Sequence, residues 1–120
     1  MTDRAALGAV AVDALPETVR VGAYTFAIAK DSIHDTNGRR EWGWCSITAQ
    51  KITIQREMPT PEKSVDTFIH EVNHAIYWAY GFEDEDKEER IVGNFASAWV
   101  QVYRDNPWLL GWIAKALETA

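Results

Sequence analysis

The hydrophobic pattern of this chain changes near Pro59. Before that residue, apolar side chains recur at every second position, which is the period of a half-buried β-strand. The strand-like positions are Val19, Val21, Phe26, Ile28, Trp42, Trp44, Ile52 and Ile54. The Asn37-Gly38 pair is a hairpin-turn signal. The first half of the chain therefore predicts a small three-stranded antiparallel sheet.

After Pro59 the apolar residues recur every three or four positions, as they do on the buried face of a helix. This stripe consists of Val65, Phe68, Ile69, Val72, Ile76 and Ala79. Thr60 and Pro61 suit the N-cap and first turn of such a helix, and Gly81 suits the position just past its end.

A second long helix is predicted from Lys87 to Arg104. Its apolar positions are Ile91, Val92, Phe95, Trp99 and Val102. Asn106 and Pro107 are predicted to begin a short C-terminal helix, because proline cannot continue the preceding one. The pattern as a whole predicts a single α+β domain over residues 1–120, in which residues 1–17 are either flexible or a short N-terminal helix.

Composition narrows the functional classes. The 120 residues carry a net charge of −6, so neither nucleic acid nor an anionic membrane surface is an expected partner. No apolar run approaches the roughly 18 residues of a membrane span, and the N-terminal segment lacks the pattern of a signal peptide. Cys45 is the only cysteine, which suits a cytoplasmic protein and excludes an intrachain disulfide. We interpret it as a small, buried strand residue.

The chemical motif is His70-Glu71-Val72-Asn73-His74, an H-E-x-x-H sequence inside the first long helix. Residues four apart on a helix point the same way, so the imidazoles of His70 and His74 can bind one Zn²⁺. Glu71 lies between them in sequence, and there it can exchange protons with zinc-bound water as a general base. His34 has no partner at ligand spacing and is interpreted as a surface residue.

The third zinc ligand is open on residue pattern alone. No histidine follows His74, so the acidic run of Glu83–Glu89 is the nearby C-terminal source of a carboxylate. We expect Glu83–Asp86 to form a solvated turn. Helical periodicity makes Glu88 more inward than Glu89.

The H-E-V-N-H-A segment, followed by a helix that begins E-E-R-I-V-G-N-F-A, resembles the gluzincin branch of zinc metallopeptidases. It is similar to small phage and prophage enzymes of the minigluzincin, or ImmA/IrrE-like, type. The resemblance covers roughly residues 40–110. It implies a zincin-like fold, His70, His74 and Glu89 as zinc ligands, Glu71 as general base, and the host cytoplasm for a phage-encoded protein. It also implies that the strand at Lys51–Arg56 edges the cleft and pairs with an extended peptide substrate.

The favoured hypothesis is therefore a zinc-dependent metallopeptidase acting on a peptide or protein substrate. Tyr77, Tyr80 and Tyr103 are candidates for a second donor to the transition state. Two other hypotheses use the same residues differently. The chain could be a zinc-bound interaction module of phage origin without significant turnover, or a metal-free helical adaptor in which the motif is accidental. The oligomeric state is not predicted.

Overall fold

The computed structural model describes residues 3–83 and 88–118, which form four helices and four strands. In chain order these are α1 (Arg4–Asp13), β1 (Thr18–Val21), β2 (Tyr24–Asp31), β3 (Gly43–Ser46), β4 (Lys51–Gln55), α2 (Pro61–Ala79), α3 (Glu88–Asp105) and α4 (Trp108–Glu118). The strands precede the three larger helices, which confirms the predicted α+β class. The N-terminal segment contributes α1, and Met1 and Thr2 lie outside the described residues.

The predicted three-stranded antiparallel sheet is wrong. The sheet has four strands in the order β1-β2-β4-β3, and β2 pairs with β4 in parallel. The strand number differs because Gly22, at φ +60°, permits a tight turn within the first alternating run. That turn brings Val21 opposite Tyr24 and splits the run into β1 and β2.

The parallel pairing follows from the path of the chain after β2. Residues 32–42 carry the backbone past the sheet, and β3 then forms one edge of the sheet, opposite the edge formed by β1. β4 returns between β2 and β3. The Asn37-Gly38 turn lies inside this crossing segment. There Gly38 has φ +76° and its N–H donates to the carbonyl of Asp35 (3.0 Å), while His34 is exposed.

Helix α2 begins and ends where the sequence predicts. The Thr60 side chain accepts a hydrogen bond from the N–H of Lys63 (3.1 Å), and Pro61 is the first helical residue. At the other end Gly81 has φ +70°, a left-handed conformation that ends helices. The N–H of Phe82 then donates to the carbonyl of Tyr77 (3.0 Å), which closes the last turn.

The core lies between the sheet and the helices, and α2 is at its centre. This helix contacts α1, α4 and strands β1, β3 and β4. Its fully buried side chains include Phe68, Val72 and Ile76, which face Ile52 and Ile54 of the sheet within one apolar cluster. None of the helices in the described part of the chain has the length and apolar character needed to cross a membrane.

Helices α3 and α4 occupy the predicted regions, but Asn106 does more than the predicted cap. Its backbone carbonyl accepts from Leu109 (3.0 Å), while its buried side chain binds the backbone of β1. The Asn106 Oδ1 atom accepts from the N–H of Arg20 (2.8 Å), and Nδ2 donates to the carbonyls of Arg20 (2.8 Å) and Val102 (2.7 Å). These bonds attach the α3–α4 junction to the sheet.

Candidate metal centre

Helix α2 brings the two histidines of the motif together. The imidazoles of His70 and His74 are both exposed, their ring centroids are 4.9 Å apart, and their Nε2 atoms are 3.2 Å apart. The apolar stripe of α2 is buried on the other side of the helix, so the same periodicity that builds the core turns both rings outward. The two Nε2 atoms therefore face the same side of the helix.

The distance between these nitrogens fits a tetrahedral metal ion. Two bonds of about 2.0–2.1 Å to nitrogens 3.2 Å apart enclose an angle of about 100°, close to the tetrahedral value that zinc prefers. The same separation also permits an N–H···N hydrogen bond between two neutral rings. Imidazole nitrogen is among the commonest zinc ligands, so His70 and His74 suit the ion in both chemistry and spacing.

Glu71 differs from its neighbours because it is buried, with 5% of its surface exposed. Burial raises the pKa of its carboxyl group, and the adjacent imidazoles of His70 and His74 oppose that rise. A carboxylate with a raised pKa holds a proton more readily than an exposed glutamate does, which is a property of general bases. Its position beside the histidine pair is the one that the motif predicts.

Gly43 of β3 forms the opposite wall of this site. A Cβ atom built on Gly43 would lie 2.9 Å from Thr67 Cγ2, 3.0 Å from Glu71 Cγ and 3.0 Å from Glu71 Oε2. Only glycine permits the strand to approach the helix so closely. Sequence reasoning did not single out this residue, although a glycine between two tryptophans in a strand is a signal of close backbone approach.

The histidine pair opens into a cavity of about 890 Å³ between β3 and α2. His70, Glu71 and His74 line it together with Cys45 and the aromatic residues Tyr77, Trp78 and Phe82. A smaller cavity of about 200 Å³ adjoins it at Gly43, His70 and Glu71. Of the three tyrosines considered as transition-state donors, Tyr77 is the one that lines the large cavity, while the Tyr80 hydroxyl donates to Gln101 (3.1 Å).

Burial raises the pKa of the Cys45 thiol to about 11, and the nearby Glu71 carboxylate adds to the rise. The thiol is therefore protonated at neutral pH. Cys45 lies on β3, as interpreted from the sequence, but it is half-buried on the wall of the cavity and not fully buried.

No third metal ligand is identified beside the histidines within the described part of the chain. Glu89 is an exposed residue in the first turn of α3. Within residues 3–83 and 88–118, no group of three or more His, Cys, Asp or Glu side chains could hold a metal ion. The side chain of Glu88 lies outside the described residues, as does most of the predicted solvated turn, of which only Glu83 is described and is exposed. The third ligand stays a prediction.

The resemblance implies that the strand at Lys51–Arg56 edges the cleft, and this prediction is wrong. β4, within the segment Lys51–Arg56, is paired on both sides, with β2 and with β3, so it has no open edge for a peptide. The edge strand beside the histidines is β3 instead, because the crossing segment of residues 32–42 carries it outside β4. The open edge and the motif helix are therefore neighbours through Gly43.

No protein-family model matches this chain, and no curated protein or solved structure is significantly similar to it.

Proposed function

We propose that this chain is a zinc-dependent peptide hydrolase. The observation that carries the proposal is the pair of exposed imidazole nitrogens, 3.2 Å apart, beside the buried carboxylate of Glu71 at the floor of an open cleft. An H-E-x-x-H helix contributes two metal-binding nitrogens and one proton acceptor to metal-assisted hydrolysis.

In this proposal His70 and His74 hold the ion, and the resemblance adds Glu89 as the third ligand. Bound zinc would supply Lewis acidity toward the scissile carbonyl and would acidify a bound water. The chain's own contribution to proton transfer is Glu71. Its raised pKa suits it to accept a proton from the attacking water and to return it to the leaving amine.

The backbone of β3 positions the substrate. An extended peptide that pairs with this open edge would run past Gly43, and its carbonyl groups would pass beside the histidine pair. Main-chain hydrogen bonds to β3 would hold the scissile bond in place. The side chains of the peptide would stay free to enter the two cavities.

The test combines metal content with turnover. Protein purified without chelators is assayed for zinc and for cleavage of a mixed peptide library. The Glu71→Gln variant is expected to retain zinc and lose at least about 100-fold in cleavage rate, since general acid–base catalysis contributes that much. The control is Glu62→Gln, which changes an exposed carboxylate on the same helix and should cleave at the wild-type rate. Full activity of Glu71→Gln would refute the mechanism.

A zinc-bound interaction module is the second candidate. It would hold zinc through the same exposed histidine pair, without turnover at Glu71. It predicts that zinc binds, that no member of the library is cleaved, and that partner binding survives Glu71→Gln. If the purified protein contains no zinc, both zinc-dependent candidates are excluded and the metal-free adaptor remains.

A further inference from the structure

Helix α2 presents three rows of side chains around the histidine pair. A helix turns by about 100° per residue, so His74 stands about 40° from His70, and Glu71 stands about 100° away in the same direction. Asn73 and Tyr77 stand about 60° and about 20° from His70 in the opposite direction. The histidines therefore have Glu71 on one flank and the row of Asn73 and Tyr77 on the other.

The neighbours of these two flanks show what encloses the histidines. Glu71 lies against Gly43 of β3. On the opposite flank, the indole Nε1 of Trp99 in α3 donates a hydrogen bond to Asn73 Oδ1 (3.1 Å). The histidine pair therefore lies between strand β3 and helix α3. Because Asn73 directly precedes His74, this hydrogen bond lies at the level of the histidines along α2.

The C-terminal half of α3 is attached without any help from Asn73. The Oε1 atom of Gln101 accepts hydrogen bonds from the Tyr80 hydroxyl (3.1 Å) and from the N–H of Gly22 (2.7 Å). The Nε2 atom of Gln101 donates to the carbonyl of Arg20 (3.3 Å). These bonds hold this half of the helix against β1 and the turn that follows it.

The N-terminal half of α3 is held mainly by ring contacts. The Phe82 ring contacts Phe95 (centroids 5.0 Å apart), and the Arg90 guanidinium lies 5.3 Å from the Phe82 ring centre. Apolar contact is non-directional, so two packed rings can slide, whereas a hydrogen bond has a preferred distance and angle. The hydrogen bond between Asn73 and Trp99 therefore fixes an orientation of α3 that the ring contacts leave adjustable.

The position of the first turn of α3 depends strongly on that orientation. Glu89 precedes Trp99 by ten residues, which is about 15 Å along the helix axis. A rotation of α3 by about 10° about Trp99 would move this first turn by about 3 Å. Metal–ligand distances are held to within about 0.2 Å. A carboxylate in the first turn can therefore bind a metal on the histidines over only a narrow range of helix orientations.

We propose that Asn73 is a positioning residue for the metal centre. Through the indole of Trp99 it sets the angle at which α3 passes the histidine pair, and thereby the place of the first turn of α3, which carries the expected carboxylate ligand. The metal in this proposal rests on the proposed function. The orientation of α3 does not, because the hydrogen bond is present without metal.

The first test needs no metal. Amide hydrogen exchange is measured by NMR in metal-free wild type, in Asn73→Ala and in Trp99→Phe. The phenylalanine keeps a ring beside Tyr103, whose centroid is 5.3 Å from that of Trp99, but it has no N–H donor. We expect the amides of residues 89–98 to exchange about fivefold to tenfold faster in both variants, because one hydrogen bond shifts a local opening equilibrium by about that factor.

Ser64→Ala is the matched control. Ser64 lies on the same helix, and its hydroxyl donates to the carbonyl of Gly8 (2.9 Å), so this variant also removes a side-chain bond between α2 and another helix. Exchange of residues 89–98 should stay at the wild-type rate in Ser64→Ala. Wild-type exchange of these amides in Asn73→Ala, or equal acceleration in Ser64→Ala, would overturn the proposal.

The second test measures zinc affinity by competition with a chelator. We expect Asn73→Ala and Trp99→Phe each to bind zinc about fivefold to tenfold more weakly, and the double variant to bind no more weakly than either, because both substitutions remove the same bond. Ser64→Ala should bind zinc as wild type does. A purely structural role would lower the urea midpoint and leave the zinc affinity of the folded protein unchanged, so wild-type affinity in Asn73→Ala would refute the positioning role. If wild type binds no zinc, the proposed function fails, and the exchange test alone decides whether Asn73 orients α3.

Discussion

Replacement of Gly43 by alanine tests how closely the edge strand approaches the motif helix. Gly43 is not among the glycines with positive φ, so alanine is compatible with its backbone. The added methyl group would instead meet Thr67 Cγ2 at 2.9 Å and two atoms of Glu71 at 3.0 Å. Ordinary carbon contacts are near 3.5–4.0 Å, so β3 or the Glu71 side chain has to move by about 0.5 Å or more.

The stability change is the difference of two effects. Overpacking by one methyl group costs about 1–3 kcal/mol, while Gly to Ala gains about 0.4–1 kcal/mol by restricting the unfolded chain. We therefore expect Gly43→Ala to lower the free energy of unfolding by about 1–2 kcal/mol. For a chain of 120 residues this corresponds to a fall in Tm of roughly 4–8 °C.

The assay is urea unfolding followed by circular dichroism, with Gly111→Ala as the matched control. A Cβ at Gly111 meets nothing within 4 Å, and Gly111 lies inside α4, so alanine there should stabilise by about 0.5–1 kcal/mol. Opposite signs for the two substitutions are the expected result. If Gly43→Ala stabilises as Gly111→Ala does, β3 does not lie against Glu71, and the cleft described above is incorrect.

Three further outcomes are expected. Asn106→Ala should cost about 3 kcal/mol in urea unfolding, since it removes three hydrogen bonds of a buried side chain, whereas Asn37→Ala in an exposed turn should cost about 0.5 kcal/mol or less. Glu71 has a raised pKa when folded, so its contribution to stability is complete below about pH 4.5 and declines as pH rises through that pKa. Without metal, Glu71→Gln should therefore gain stability over wild type between pH 4 and pH 7. Because the Cys45 pKa is about 11, iodoacetamide at pH 8 should alkylate native protein about 100-fold more slowly than urea-unfolded protein; equal rates would contradict burial of the thiol.

The helices could be predicted from the sequence because their signals are local. Thr60 caps α2 through a bond to Lys63, and Gly81 ends it through a left-handed φ; both residues act within one turn of the helix they delimit. The same periodicity that places Phe68 and Val72 in the core places His70 and His74 outside it. It could therefore be predicted that their imidazole nitrogens lie close together without knowing the rest of the fold.

The sheet order could not be predicted because it is not a local property. Alternation indicates that Ile52 and Ile54 lie in a strand with one face buried, but it does not say which neighbour that strand pairs with. The parallel pairing of β4 with β2 depends on how residues 32–42 cross the sheet. The bonds that Asn106 and Gln101 make to the sheet were missed for the same reason, since each side chain binds backbone groups about 80 residues earlier in the chain.

The third metal ligand could not be predicted either, because it also depends on contacts between elements that are distant in the chain. Whether Glu89 reaches the histidines depends on the turn between α2 and α3, and spacing along one helix carries no information about the angle to the next. The resemblance selects Glu89, and periodicity favours Glu88, but neither is a statement about distance to His70 or His74. Zinc titration of Glu89→Ala and Glu88→Ala would decide between them, because loss of a ligand weakens zinc binding far more than loss of a helix-end charge.

The difference between the predicted and the observed sheet bears directly on the proposed function. In a three-stranded antiparallel meander, the last strand before α2 would be the edge strand, and the peptide would pair with Lys51–Arg56. Insertion of β4 between β2 and β3 moves the open edge to a strand whose first residue is Gly43. That residue has no side chain to separate the edge from Glu71, so in the proposed hydrolase the backbone that would pair with substrate lies beside the carboxylate that would transfer the proton. A side chain at this position would have to be accommodated between them. The glycine therefore links the topology of the sheet to the chemistry of the helix, and Gly43→Ala should reduce cleavage by more than its effect on stability explains, while zinc binding by His70 and His74 is retained.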